Sequence, residues 1–288
     1  MSGSLVLIDK QQGWTSHDVV AKLRGILGTR KIGHAGTLDP MATGLLVLGV
    51  DAGTKLLQFV SNSSKQYLAT IRLGQATHTD DAEGELVEAL DASHLTADDV
   101  DREIAKLTGK ISQVPSSVSA IKVAGKRAYD LVREGKEVEL KSREVEVTRF
   151  ERTSDLRVLG QVVDFDVVVD CSTGTYIRAL ARDLGNALGV GGHLTMLRRT
   201  KIDNFDVSDA VTIDQEVKAI DLSDSARVLF PSIELTAEQA RDIVHGKRIS
   251  HSAHGQIAAF WQGELLAVLE PRGEELKSMV VFPEVFNA

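Results

Sequence analysis

Cysteine is almost absent from this sequence: Cys171 is the only one in 288 residues. That excludes an intrachain disulfide and a thiolate zinc site, and it fits a reducing compartment, so the cytoplasm is the expected location. Long apolar runs are also missing. No stretch approaches the ~18 residues of a membrane span, and the opening MSGSLVLIDK has no basic leader ahead of an apolar core, so neither export nor membrane insertion is expected. With 43% hydrophobic and 26% charged residues, the composition excludes disorder, collagen and a disulfide scaffold.

A surplus of positive charge is lacking too. The net charge of -8 argues at face value against a nucleic-acid partner, because phosphates attract cationic surfaces. The deficit is local, however. Between Ala76 and Ala105, ten carboxylates face Arg102 alone, a local charge of -9, so the rest of the chain carries +1. Generic cofactor loops are absent as well: Gly49 to Lys55 has the wrong order for a Walker loop, and Gly189 to Gly192 lacks the third glycine of a dinucleotide fingerprint. His245, His251 and His254 have no carboxylate or thiol at ligand spacing and are read as solvent-exposed side chains. No metal and no cofactor are expected.

Hydrophobic periodicity predicts a strand over Leu5 to Ile8 and a helix capped by Thr15 or Ser16 and closed by Gly28. An apolar strand over Leu45 to Val50, a helix from Thr54 to Val60 and an alternating strand from Gln66 to Leu73 follow. Thr96 opens a helix that Gly109 ends. Pro115 to Val123 reads as extended, Lys126 to Arg133 as a short basic helix, and Val145 to Phe150 as the partner of Gln161 to Asp170 in a long hairpin. A helix spans Thr175 to Leu188, and Leu194 to Phe205 is extended again. Strands and helices mix without a βαβ beat, so the fold class is α+β with a mainly antiparallel sheet and flanking helices. The boundaries expected are a catalytic domain over 1–210 with an insertion at about 115–140, a linker over 211–230, and a small β-rich domain over 231–288.

The segment Gly33-His34-Ala35-Gly36-Thr37-Leu38-Asp39-Pro40-Met41-Ala42-Thr43-Gly44 sets three glycines, a proline and a carboxylate between regular elements. Such a loop has a specified backbone, and Asp39 is either a catalytic group or merely the start of an Asp-Pro turn. The longer run GHAGTLDPMATGLLVLGVDAGTK resembles the signature of the TruB family of tRNA pseudouridine synthases. LVLIDKQQGWTSHDVV, KQYLATIRLGQATHTDDAEG, QVPSSVSAIKVAGKRAYDLVREG, CSTGTYIRALARDLG and GGHLTMLRRTKIDNF resemble further family segments in the same order, over roughly Leu5 to Val207.

The resemblance implies a cofactor-free isomerase of the pseudouridine synthase fold that acts on the uridine of the TΨC loop of tRNA. It implies Asp39 as the essential carboxylate, Arg178 as its ion-pair partner, and Tyr67 as the aromatic that stacks on the flipped base and handles a proton. Tyr176 and the apolar Leu197 belong beside them, Lys55 near the site, and His34 in the gap left by the base. The bland alternatives are a surface arginine, a strand-packing tyrosine, a satisfied loop histidine and a solvated helix lysine. Phosphate contacts are expected from Lys22, Arg30 and Lys31, from Lys122, Lys126 and Arg127, and from Arg198 and Arg199. The insertion resembles the family's RNA-binding one, and residues from Ile233 to Phe282 resemble a PUA-like RNA-binding domain. The family fold could also support tRNA chaperoning. The TΨC stem-loop is the expected partner, with no obligate protein partner, and the chain is read as a monomer.

Overall fold

In the computed structural model, which describes residues 3–116, 122–123, 126–127 and 140–286, the first strand is already buried on both sides. Strand β1 (Ser4–Lys10) sends Leu5 and Leu7 into one apolar cluster and Val6 and Ile8 into another, as a period of two requires. Helix α1 (Ser16–Leu27) starts from a capping box between Thr15 and Asp18 and stops at Gly28 in the left-handed conformation. Both ends lie where the sequence predicts them. Strands β2 (Ile32–Ala35) and β3 (Thr43–Val50) bracket the glycine-rich loop. The helix expected from Thr54 is split into a 3-10 turn, Asp51–Leu56, and helix α2 (Leu57–Asn62).

Strand β4 (Lys65–Leu73) alternates as predicted, and β5 (Gln75–Thr77) with β6 (Leu86–Ala89) forms a hairpin within the acidic stretch. Helix α3 (Ala97–Lys106) and strand β7 (Gly109–Gln113) follow. Backbone pairing joins β8 (Lys122–Val123) to β9 (Lys126–Arg127), so the basic helix expected from Lys126 does not start there. The rest of that helix, most of the expected insertion, and the side chains of Lys122, Lys126 and Arg127 lie outside the described residues. Strand β10 (Arg143–Arg152), the short β11 (Arg157–Leu159) and β12 (Val162–Cys171) realise the predicted long hairpin, with β10 and β12 antiparallel. Helix α4 (Ile177–Ala187), β13 (Gly192–Ile202) and β14 (Phe205–Asp206) complete the region of the motifs.

Apart from the separate β5–β6 and β8–β9 pairs, these strands form one sheet, in which β15 (Ala219–Asp221) is the far edge, the main order is β15-β1-β3-β13-β4-β12-β10-β7, and β2, β11 and β14 pair off that path. Every pairing along that path is antiparallel except β3 with β13. That one parallel contact sets Arg198 against Thr43 and Arg199 against Gly44. Gly44 cannot be another residue without disruption: its φ is +102°, and a Cβ there would lie 2.2 Å from the Arg199 carbonyl oxygen. Helices α3 and α4 cover β4, β10, β12 and β13 through Val100, Ile104, Leu180 and Leu184, while α1 covers β1 and β3 through Val19, Val20 and Leu23. The α+β class and the mainly antiparallel sheet are as the sequence predicts.

The stretch expected as a linker is not one. Residues 211–230 supply β15, which pairs with β1, and helix α5 (Leu222–Leu229), whose Ala226 is buried. Beyond it, β16 (Ser232–Glu234), helix α6 (Ala237–Val244), β17 (Ile249–Ser250), β18 (Ile257–Trp261), β19 (Glu264–Arg272) and β20 (Glu275–Val281) make a five-stranded sheet in the order β16-β18-β19-β20-β17. Phe260, Leu265 and Phe282 of this region share a single apolar cluster with Leu5, Phe59 and Phe205. The C-terminal sheet is therefore fused to the main sheet through buried surface.

Because that core is common property, both sheets are expected to unfold together. Phe260→Ala should cost about 3–5 kcal/mol of stability, the range for emptying a buried aromatic site. In urea titrations, variants retaining only Trp14 or only Trp261 should report the same midpoint, and Phe260→Ala should move both equally.

Candidate active site

The loop carrying Asp39 is held from the β1–α1 connection. The hydroxyl of buried Ser16 accepts from the Leu38 N–H at 2.9 Å and donates to the Leu38 carbonyl at 3.2 Å. On the other side of Asp39, the Pro40 carbonyl accepts from the Gly13 N–H at 2.9 Å and from Lys10 Nζ at 3.4 Å. Lys10 also donates to the Trp14 and Gln11 carbonyls. Burial pulls its ammonium down to about 8 although the nearby Asp39 favours the charged form. Both backbone neighbours of Asp39 are thus pinned by residues 22 to 30 positions away in sequence.

Asp39 Oδ2 lies 3.0 Å from Arg178 Nη2, with the Asp39 side chain 36% exposed and that of Arg178 only 5%. Arg178 comes from the first turn of α4. Its other terminal nitrogen donates to the Thr79 carbonyl at 2.8 Å and pairs with Asp81 Oδ2 at 3.2 Å. Asp81 is itself 4% exposed. The guanidinium therefore bridges two carboxylates, one reaching the cavity and one buried. Asp81 is further fixed by the Thr79 hydroxyl and the Glu83 N–H.

A cavity of about 260 Å³ opens above Asp39. Its walls bring together Asp39, Tyr67, Tyr176, Arg178, Leu197 and Arg199, six of the residues singled out from sequence, with Lys65. Tyr67 on β4 faces Arg199 across the β4–β13 pair, and Leu197 lies two residues earlier on the same face. Burial pushes the Tyr67 phenol upward against the opposing influence of the Arg199 guanidinium, so the group holds its proton. Tyr176 is the N-cap of α4, and the Arg143 guanidinium lies 5.4 Å from its ring centroid.

Other expected residues sit elsewhere or in a different role. Lys55 is not at the cavity: the 3-10 turn aims it at the C-terminal sheet, where Nζ donates to the Val281 carbonyl at 2.9 Å and lies 4.7 Å from the Phe282 ring centroid. Arg199 is not free for phosphate, since it is 1% exposed and its guanidinium donates to the Leu45 and Gly36 carbonyls at 2.8 and 3.1 Å. Arg198, on the alternate face, makes a two-pronged ion pair with Asp9 at 2.7 and 2.9 Å. His34 lies half-buried on β2, outside the cavity wall, edge-on to His17 with ring centroids 5.5 Å apart. Burial, then His17 and Arg199, hold its imidazole below the usual range, which favours the neutral ring. Lys22, Arg30 and Lys31 are exposed on α1 and the loop after it.

Three site residues escape sequence reasoning. Lys65 sits two positions before Tyr67 on one strand, so alternation alone puts both on one face. Its ammonium donates to the Ser61 and Ser63 carbonyls at 2.9 and 2.6 Å, and burial lowers it to about 8. Asp81 is hidden among ten carboxylates that read as bulk charge. Gln113, at the end of β7, has no pattern to mark it.

Comparison with known proteins identifies the family. Residues 24–177 match the TruB family pseudouridylate synthase N-terminal domain, residues 178–230 the tRNA pseudouridylate synthase B C-terminal domain, and residues 230–283 the C-terminal region of tRNA pseudouridine synthase II. A tRNA pseudouridine synthase B of Paenarthrobacter aurescens (strain TC1) is 52% identical over 297 residues, covering 98% of this chain and 96% of its own. One from Thermobifida fusca (strain YX) is 51% identical over 290 residues, covering 98% and 99%. Among solved structures, a Cbf5-Nop10-Gar1 complex contains a chain that superposes with a TM-score of 0.70 at 23% identity, over 98% of this chain and 86% of that one, a likeness of fold. Matched by family along nearly its whole length, the chain belongs to the TruB family of pseudouridylate synthases and is an isomerase of the RNA pseudouridine synthase class.

Proposed function

We propose that this chain converts the uridine at position 55, in the TΨC loop of tRNA, to pseudouridine. The observation that carries the reading is Asp39, a partly exposed carboxylate ion-paired to a buried arginine beneath a cavity walled by Tyr67 and Leu197. The names of the relatives supply the substrate class. A base in a folded RNA loop must be extruded to reach such a cavity, at a cost of a few kcal/mol that contacts to the RNA offset. In this reading His34, which has His17 edge-on beside it, fills the gap left by the base. Exposed Lys22, Arg30 and Lys31 contact phosphates.

The reaction breaks the N1–C1′ bond, turns the uracil while it is still held, and joins C5 to C1′, with the C5 hydrogen leaving to solvent. Asp39 attacks ribose C1′, removes the C2′ proton to give a glycal, or adds to C6 of the base. Tyr67, which holds its proton in the free enzyme, stacks on the base and exchanges that proton during turnover. The chemistry calls on no cofactor. The C-terminal sheet, with Lys247 and Arg248 exposed, serves as a PUA-like RNA-binding module, and the chain works as a cytoplasmic monomer. Gripping tRNA in this way also gives it a folding-chaperone role.

The direct test uses unmodified tRNA tritiated at uridine C5, from which isomerisation releases the label while hydrolysis and simple binding do not. Asp39→Asn should keep RNA affinity and lower the single-turnover rate by at least about 10³-fold. Undiminished tritium release by the purified variant rejects Asp39. Tyr67→Phe keeps the ring and loses the hydroxyl, so RNA affinity should stay within about threefold while the rate falls about 10²- to 10⁴-fold. A fully active Phe variant removes the proton role. Asp81→Asn preserves shape but leaves Arg178 with a single carboxylate; the rate should fall by about 10²-fold, some 2.7 kcal/mol, with RNA binding retained. Equal activity would show that the buried carboxylate is dispensable.

A further inference from the structure

The first turn of α4 carries Arg178 and yet starts without a side-chain cap of its own, since its N-cap residue Tyr176 makes no side-chain capping bond. The backbone of Tyr176 is held instead by Gln113, the last residue of β7. Gln113 is 1% exposed. Its Oε1 accepts from the Tyr176 N–H at 2.8 Å, and its Nε2 donates to the Tyr176 carbonyl at 3.1 Å. Tyr176 is extended, with φ -104° and ψ 109°, so its N–H and carbonyl point to one side and one primary amide satisfies both, as a neighbouring strand would. The same carbonyl also accepts from the Leu180 N–H at 3.2 Å, the first helical bond of α4.

Two further contacts tie this turn to the same sheet edge. Arg143, the cross-strand partner of Gln113 on β10, lies with its guanidinium over the Tyr176 ring. One helical turn past Arg178, Arg182 donates to the Val114 carbonyl at 2.7 Å and pairs with Asp80 at 3.1 Å. Gln113 is the only one of these that fixes the backbone at the point where the helix begins. An error of a few tenths of an ångström there is passed through two residues to the guanidinium that holds Asp39 and Asp81.

We propose that Gln113 is a positioning residue for the isomerisation: by clamping the Tyr176 backbone it sets the start of α4, and with it the placement of Arg178 against Asp39. The proposal rests on the function given above. Gln113 does not line the cavity, so its effect falls on the chemical step and leaves RNA binding alone.

The test compares wild type with Gln113→Met, which keeps the volume and flexibility of the side chain but can make neither hydrogen bond. RNA affinity is measured by filter binding, and the single-turnover rate by tritium release from C5-labelled tRNA, with melting temperature and circular dichroism confirming the fold. The expected result is a rate 10- to 100-fold below wild type with affinity within threefold. A rate less than tenfold below wild type overturns the proposal. So does a parallel loss of rate and affinity, which would mark Gln113 as a generic packing residue. If Gln113→Met does not fold, Gln113→Glu decides by the same criteria, because it keeps the acceptor for the Tyr176 N–H and loses the amide donor. Wild-type protein that binds tRNA and releases no tritium would refute the function, an outcome distinct from active wild type with an equally active Gln113 variant.

Discussion

A guanidinium taken almost wholly out of water must be met by negative charge, and Arg178 is met by two carboxylates and a carbonyl. Stranding such a cation costs several kcal/mol, so the groups around it are placed under a common constraint. Asp81 is buried and fixed by its own loop, which makes it the inner anchor. Asp39 then occupies the outer side, the one facing the cavity. The helix that delivers Arg178, the acidic turn that delivers Asp81 and the glycine-rich loop that delivers Asp39 come from three distant parts of the chain. They are brought together by a charge that none of them could bury alone.

Arg199 plays a corresponding part in the wall. Its guanidinium reaches two backbone carbonyls, at Gly36 before Asp39 and at Leu45 after it, so the loop is gripped at both ends by a strand it does not adjoin in sequence. Lysine could not do this, because a single ammonium on a flexible stem cannot span both carbonyls in the fixed plane of a guanidinium. The same strand provides Leu197, and its antiparallel partner provides Tyr67 and Lys65. The polar floor and the aromatic side of the cavity thus share one register.

Local patterning made much of this legible. Thr15 with Asp18 and Thr96 with Asp99 are capping boxes that announce their helices, and the alternation from Gln66 to Leu73 announces its strand. The Asp39 loop stands out through its glycines, although its spacing alone leaves catalysis and a turn equally open; resemblance was needed to associate it with Arg178, Tyr67, Tyr176 and Leu197. Basic residues were the hardest to read. Arg198 and Arg199 look alike in sequence, yet strand alternation sends one to Asp9 and the other into the wall, and the partner that decides this for Arg198 is 189 residues away. Lys55 misled for the same reason, because its neighbours Val281 and Phe282 belong to the other end of the chain. The linker failed because polar composition resembles a boundary even where a short edge strand is recruited by β1.

The parallel contact between β3 and β13 has a consequence for biosynthesis. Gly44 meets Arg199 only after more than 150 further residues have been made, so the cavity has no wall on that side until β13 has been synthesised. The apolar cluster that unites both sheets is completed later still, with Phe282. Non-local closure of this kind delays folding until the late segments arrive. A nascent chain carrying the whole Asp39 loop has yet to close the cavity around it, and that closure waits for β13 to be made and to pair with β3.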